Sequence, residues 1–148
     1  KFFKNIMKYK LFVAKIPYHP GAGFVVFNKA RPGKILALIK DNGKYDIPKG
    51  RRDGDEDALA NARRECFEEC SIFIEDDEIL SIPPHKNGEL TTFAAITDKV
   101  PDITPNVSSG ILEHAGYKWV DEEAFCENCL GYLEPAVRYF CQNIQHLI

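Results

Sequence analysis

The run GRRDGDEDALANARRECFEECSI, from Gly50 to Ile72, decides how this chain is read. It opens as a turn rich in Gly, Arg and Asp. From about Asp55 to Cys70 it carries neither Pro nor Gly, which predicts a helix over that span. Asp53 or Asp55 can serve as N-cap, and Asp53 with Glu56 has the spacing of a capping box. Leu59, Ala62, Cys66 and Cys70 recur at helical spacing and predict an apolar stripe packed on a sheet. Glu65, Glu68 and Glu69 stand at i, i+3 and i+4, so a helix puts all three on one face beside that stripe. On a solvated surface such like charges cost about 0.2–0.5 kcal/mol per pair. A divalent cation between them turns the cost into a gain, and hard oxygen ligands suit Mg²⁺ or Mn²⁺. A solvated acidic face is the competing account of the same three residues, because exposed Glu on helices is common.

Upstream, Lys8 to Ile16 reads as an opening strand, a half-buried edge with solvated lysines. Phe24–Phe27 and Ile35–Ile39 are short apolar runs flanking a turn at Lys29–Gly33, and they are expected to pair as a hairpin. Tyr45–Ile47 leads as a short strand into Pro48-Lys49-Gly50. Downstream, Ile72–Ile74 and Leu90–Thr97 read as strands, with an acidic, solvated turn at Glu75–Glu78 between them. Pro101–Gly110 is a loop, and Tyr117–Val120 is a strand. Asp121 starts a short helix, and Leu133–Leu147 is a final helix with Val137, Phe140, Ile144 and Leu147 on one side. Strands interleaved with helices predict a mixed sheet covered on both faces, an α/β or α+β domain. No repeat or linker divides the chain, so residues 1–148 are expected to form one domain.

The 148 residues suffice for a sizeable core. A net charge of −3 gives no general attraction to nucleic-acid phosphates. A small anionic substrate would need a local basic cluster, and Lys49, Arg51 and Arg52 supply one. Five cysteines are an odd number, which excludes a full disulfide framework and suits a reducing, cytoplasmic setting. Cys126 and Cys129 have CxxC spacing, and with Cys66 and Cys70 they admit a structural zinc site. The helix stripe is the simpler account of the latter two. The apolar run Leu11–Ala14 is too short for a secretory h-region, and no segment approaches a membrane span.

The opening stretch also resembles the Nudix box: G, five residues, E, seven residues, then R-E-U-x-E-E-x-G-U, with U bulky and apolar. Gly50, Glu56, Arg64, Glu65, Cys66, Glu68, Glu69 and Ile72 fall in register, while Ser71 stands where the signature has Gly. The resemblance implies a Nudix α/β/α sandwich and a metal-dependent pyrophosphohydrolase. It implies that Glu68 and Glu69 bind the metal, with Glu65 a ligand or general base and the Gly50 carbonyl a further ligand. It implies a structural salt bridge between Glu56 and Arg64. Pro48-Lys49-Gly50 is similar to the W-x-x-P-K-G entry of diadenosine tetraphosphate hydrolases, with Tyr45 in place of Trp, and also to that of decapping and diphosphoinositol polyphosphate members. Glu113-His114, Tyr117, Trp119 and Glu122-Glu123-Ala124 resemble a further segment of the diadenosine tetraphosphate group. Glu113 is then the implied extra carboxylate facing the box helix, or else an ordinary polar residue at a strand start. Lys49, Arg51 and Lys86 are the expected substrate contacts, and a nucleoside polyphosphate the expected partner. A binding-only module is the alternative, though such modules typically lose the box carboxylates. Ser71 can take the left-handed conformation of the missing Gly at modest cost, or end the helix by other geometry.

Overall fold

The computed structural model describes residues 20–103 and 113–147. The strand expected over Lys8–Ile16 and most of the Pro101–Gly110 loop lie outside those residues. In chain order come β1 (Gly21–Asn28), β2 (Ile35–Ile39), β3 (Tyr45–Asp46), β4 (Lys49–Arg51), α1 (Ala58–Cys70), β5 (His85–Asn87), β6 (Leu90–Thr97), β7 (Gly116–Val120), α2 (Glu122–Asn128) and α3 (Glu134–Ile144). Short 3₁₀ turns at Asp76–Glu78, Gly131–Leu133 and Gln145–Leu147 fill the junctions.

All seven described strands belong to one mixed sheet. β1 runs parallel to β6 along its whole length, from Gly21 opposite Leu90 to Asn28 opposite Thr97. Its other edge is shared. The far end pairs antiparallel with β2 at Phe27 and Ile35, as the expected hairpin, and the near end pairs with β4. β2 continues to β3 and β7. β1 is buried almost throughout, because helices cover both of its faces, and its sequence is a near-continuous apolar run for the same reason. Ala22, Phe24 and Val26 point to the layer of α1, with Ala62, Cys66 and Cys70. Val25 and Phe27 point to the opposite layer, with Phe125 of α2 and Val137 and Phe140 of α3. The result is an α/β/α sandwich. Cys66 and Cys70 lie in one core layer and Cys129 in the other, so the two pairs do not meet.

Three details differ from the sequence expectations. The helix starts at Ala58 with Asp57 as N-cap, whose carboxylate accepts from the Ala60 N–H at 2.8 Å. Glu56 is already spent on the preceding turn, where it accepts from the Asp53 N–H at 2.8 Å. Ile72–Ile74 forms no strand: Ile72 and Ile74 are buried, and the Phe73 carbonyl between them accepts from Lys99 Nζ at 2.7 Å. The final helix stops at Ile144 and tightens into a 3₁₀ turn.

Ser71 ends α1 in the left-handed region (φ 61°, ψ 21°), and its N–H donates to the Phe67 carbonyl at 2.9 Å. Its hydroxyl donates to the Asp102 carbonyl at 2.9 Å, a contact glycine cannot make. Left-handed strain costs a non-glycine residue about 1 kcal/mol, and such a hydrogen bond returns about as much. Ser71→Gly is therefore expected to leave stability within about 0.5 kcal/mol of wild type, whereas Ser71→Ala, which keeps the strain and loses the bond, lowers it by about 1 kcal/mol. Urea denaturation of both variants checks this.

Candidate active site

The site forms where β4 and α1 meet the start of β1. Ala22 lies opposite Gly50, and Gly23 opposite Lys49. A β-carbon at Gly23 would overlap the Pro48 carbonyl and Lys49, and one at Gly50 would overlap the Glu65 carboxylate. Glycine at both positions lets strand, strand and helix close on one another.

Arg64 organises the helix side. It grips Glu56 with both ends of its fork, Nη2 to Oε1 at 2.7 Å and Nε to both carboxylate oxygens at 3.2 Å. Nη2 also donates to the Arg51 carbonyl at 2.8 Å. Nη1 reaches Glu65 Oε2 at 3.0 Å and Glu68 Oε1 at 3.2 Å. These bonds, led by that to Glu56, raise the Arg64 pKa above its ordinary value. Arg64 in turn, with the Asp53 N–H, holds the Glu56 carboxyl below the usual range.

Glu69 is buried, and its Oε1 accepts the Lys49 backbone N–H at 3.3 Å. Burial first, then the negative charges of Glu65, Asp46 and Glu113, push its pKa up to about 10. Glu65 is also raised, chiefly by burial, against the pull of Arg64 and a hydrogen bond with Glu69. The two carboxyls thus crowd one another beside the Gly50 backbone. Glu68 stands apart, more exposed and turned onto Arg64. Among the described residues no three acidic, His or Cys side chains converge tightly enough to enclose an ion. The donors nonetheless fit a hard divalent cation in kind. A buried and a partly buried carboxyl crowd one another, a backbone carbonyl lies alongside, and a third carboxylate stands on the same helix face.

Two residues here were not singled out in the sequence. Asn61 is buried within α1, and its Nδ2 donates to the Gly50 carbonyl at 3.2 Å and the Arg51 carbonyl at 3.3 Å, tying β4 to the helix. An amide at a buried mid-helix position was the available signal. Asp46 is buried and accepts from Lys49 Nζ at 3.1 Å and His114 Nε2 at 3.1 Å. Burial alone would raise its pKa, but His114 and Lys49 outweigh burial and lower it. Asp46 had no local signal of burial, since His114 comes from 68 residues further along the chain.

Of the expected substrate contacts, Lys49 sits between Asp46 and the Tyr132 ring, with Nζ 5.7 Å from the ring centroid. Arg51 is exposed at the end of β4. Lys86 is exposed on β5, three strand positions from β4 across β1 and β6, or about 14 Å. Glu113 is exposed just before β7, near enough to Glu69 to raise its pKa. A cleft of about 320 Å³ runs beside Gly50, lined by Gly21, Lys49, Arg51, Glu89, Leu90 and Tyr132.

The NUDIX domain family matches residues 17–140, and the chain belongs to that family. It is a Nudix-type pyrophosphohydrolase acting on nucleoside diphosphate derivatives, in a family that generally uses divalent metal ions. No curated protein sequence matches it. Among solved structures it is similar to the C. elegans Ap4A hydrolase, at 20% identity and TM-score 0.64, over 86% of this chain and 99% of that one. It is similar to the Nudix hydrolase RenU from M. smegmatis, at 16% identity and TM-score 0.65, over 88% of each chain. It also resembles the NUDIX domain of Shewanella oneidensis NrtR, solved with ADP ribose, at 15% identity and TM-score 0.64, over 91% of this chain and 92% of that one. At these identities the likeness is one of fold. No described helix is long and apolar enough to cross a membrane.

Because the Glu69 carboxyl is raised, its contribution to folding is fully present below the ordinary value of 4.5 and is lost as pH climbs toward about 10. Glu69→Gln removes that loss. In the metal-free protein at pH 8 it is expected to raise stability by about 1–3 kcal/mol, and to flatten the decline between pH 6 and 9. Thermal melts across that range, without metal, check both effects.

Proposed function

We propose that the chain is one Nudix domain that hydrolyses a diphosphate linkage in a nucleoside polyphosphate, with a bis(5′-nucleosyl) tetraphosphate as substrate. The observation that carries this is the pairing of buried Glu69 with partly buried Glu65, pressed against the Gly50 backbone and walled by Arg64. A Mg²⁺ or Mn²⁺ ion held by Glu65, Glu68, Glu69 and the Gly50 carbonyl would supply the charge neutralisation that polyphosphate oxygens require. The Gly50 carbonyl already accepts from the Asn61 amide, which holds it in place beside the two carboxyls.

The chain's own groups do the rest. Glu56 and Arg64 fix the loop Gly50–Asp57 against α1. Glu113 takes the proton of the attacking water at its carboxylate, since Glu65 and Glu69 would be engaged with the cation when one is bound. Lys49 spends its charge on Asp46 but has three donors, which leaves one for a phosphate oxygen. Arg51 lines the same cleft, and the half-exposed Tyr132 ring offers a flat apolar face for a nucleobase. Lys86, some 14 Å from β4, is within reach only of an extended substrate, which a tetraphosphate bridging two nucleosides is. The C. elegans Ap4A hydrolase, similar in fold, supports that choice. With a net charge of −3, general nucleic-acid binding is not expected.

A panel of dinucleoside polyphosphates, ADP-ribose, nucleoside triphosphates, capped RNA and diphosphoinositol polyphosphates, each with Mg²⁺ and with Mn²⁺, tests the assignment. The expected result is highest kcat/KM on the dinucleoside tetraphosphate. Turnover of ADP-ribose alone would refute the substrate, and no turnover at all would refute the enzyme. Glu69→Gln is expected to lower kcat by about 10²-fold or more. Tyr132→Ala is expected to raise KM about tenfold, from a stacking loss of about 1–3 kcal/mol, with a smaller change in kcat.

A further inference from the structure

Glu113 is exposed and lies outside any helix or strand, yet the chemistry proposed for it demands a fixed carboxylate. What fixes it comes from the next residue. His114 is buried, and its Nε2 lies 3.1 Å from Asp46 Oδ2. Ionised Asp46 can only accept, so Nε2 carries the proton and donates. The Ala115 N–H then donates to the Ile39 carbonyl at 2.7 Å, and β7 begins at Gly116 opposite Ile39. Glu113 is thus one residue beyond the last anchored side chain on its C-terminal side.

Asp46 is itself tied to the site. Its Oδ1 accepts the Ile47 N–H at 2.8 Å and Lys49 Nζ at 3.1 Å. The backbone N–H of the same Lys49 donates to Glu69. A path of direct hydrogen bonds therefore runs from Glu69 through Lys49 and Asp46 to His114, and crosses three separate segments of chain. A buried polar network whose members are partnered fixes geometry more firmly than any single contact. We infer that the buried Asp46–His114 hydrogen bond is a positioning device that sets the place of the Glu113 carboxylate relative to Glu69, with His114 acting on the reaction only through Glu113. Without it, the nearest anchor on the C-terminal side becomes Ala115, one Cα–Cα link, about 3.8 Å, further from Glu113. A misplacement of about 1 Å can already cost 10²-fold in rate.

This inference rests on Glu113 being the proton acceptor, and the test separates the two. With the substrate the wild type turns over best, kcat and KM are measured for Glu113→Gln, His114→Asn, His114→Gln and the double variant Glu113→Gln/His114→Asn. Gln can place an amide N–H near the position of Nε2, and Asn is too short to do so. The expected results are a kcat loss of 10²-fold or more for Glu113→Gln and of at least tenfold for His114→Asn with KM little changed. His114→Gln should fall within about threefold of wild type, and the double variant should be no slower than Glu113→Gln alone, because a device acting through Glu113 has nothing left to position. Equal rates for His114→Asn and His114→Gln, or losses that multiply in the double variant, overturn the inference and leave the role of Glu113 standing. A wild-type rate for Glu113→Gln removes Glu113 from the chemistry and takes the inference with it. The NMR order parameter of the Glu113 backbone amide gives a readout independent of turnover. It is expected to stay close to the wild-type value in His114→Gln and to fall in His114→Asn, while α1 amides are unchanged. An order parameter unchanged in His114→Asn also counts against the inference.

Discussion

Two carboxyls one helical turn apart, Glu65 and Glu69, are held out of water against the backbone of Lys49 and Gly50. That crowding is the constraint around which the local structure is arranged. Gly50 cannot carry a side chain, because Glu65 occupies the space. Gly23 cannot either, because β4 must sit close enough to β1 for Ala22 and Gly50 to pair. Asn61 turns its amide to the β4 carbonyls, and Arg64 divides its donors among Glu56, Glu65, Glu68 and the Arg51 carbonyl. Each of these satisfies a group that the close approach of strand and helix would otherwise leave unpaired.

The sheet makes this approach possible by sharing one edge of β1 between two partners. β2 takes the end at Phe27, β4 takes the end at Gly21–Gly23, and β6 runs unbroken along the other edge. The chain between β2 and β4 can then leave the ladder and return, bringing Asp46 beneath the returning strand. α1 follows directly and packs Ala62, Cys66 and Cys70 onto Phe24 and Val26. The acidic face of the helix is left at the rim of the core, with Glu69 buried, Glu65 partly buried and Glu68 exposed. A position deeper in the core would neutralise both carboxyls by desolvation, and a position further out would lose the electrostatic tension that favours a bound cation.

Much of this was legible because it is local. The spacing of Glu65, Glu68 and Glu69, the apolar stripe beside them and the Gly50–Ile72 signature lie within one run of chain, and helical geometry does the rest. The left-handed end at Ser71 was legible for the same reason. The capping residue was misplaced because Asp53, Asp55 and Asp57 offer the same chemistry, and the choice falls to the geometry of Glu56, which reaches Asp53 and Arg64 together. Ile72–Ile74 reads as a strand by composition, but it has no ladder partner, and burial holds it instead. Asp46 was illegible for a deeper reason: its partner His114 lies 68 residues away, and nothing near Tyr45-Asp46-Ile47 marks the aspartate as buried.

The cleft charges follow from the same arrangement. Lys49 is drawn toward Asp46 and held over Tyr132, so it is not a free cation waiting for phosphate. Its burial would lower its pKa, yet Asp46 outweighs burial and raises it, which keeps the ammonium charged beside the carboxyl pair. A mobile lysine could instead collapse onto Glu65 and Glu69 and neutralise the site internally. Binding Lys49 to Asp46 prevents that collapse while its backbone N–H contributes to holding Glu69. Positive charge therefore stands at the cleft wall, and negative charge remains where Arg64 only partly offsets it. That separation is what a polyphosphate and a divalent cation arriving together require: one surface that attracts the anion, and next to it an acidic pair that only the cation relieves.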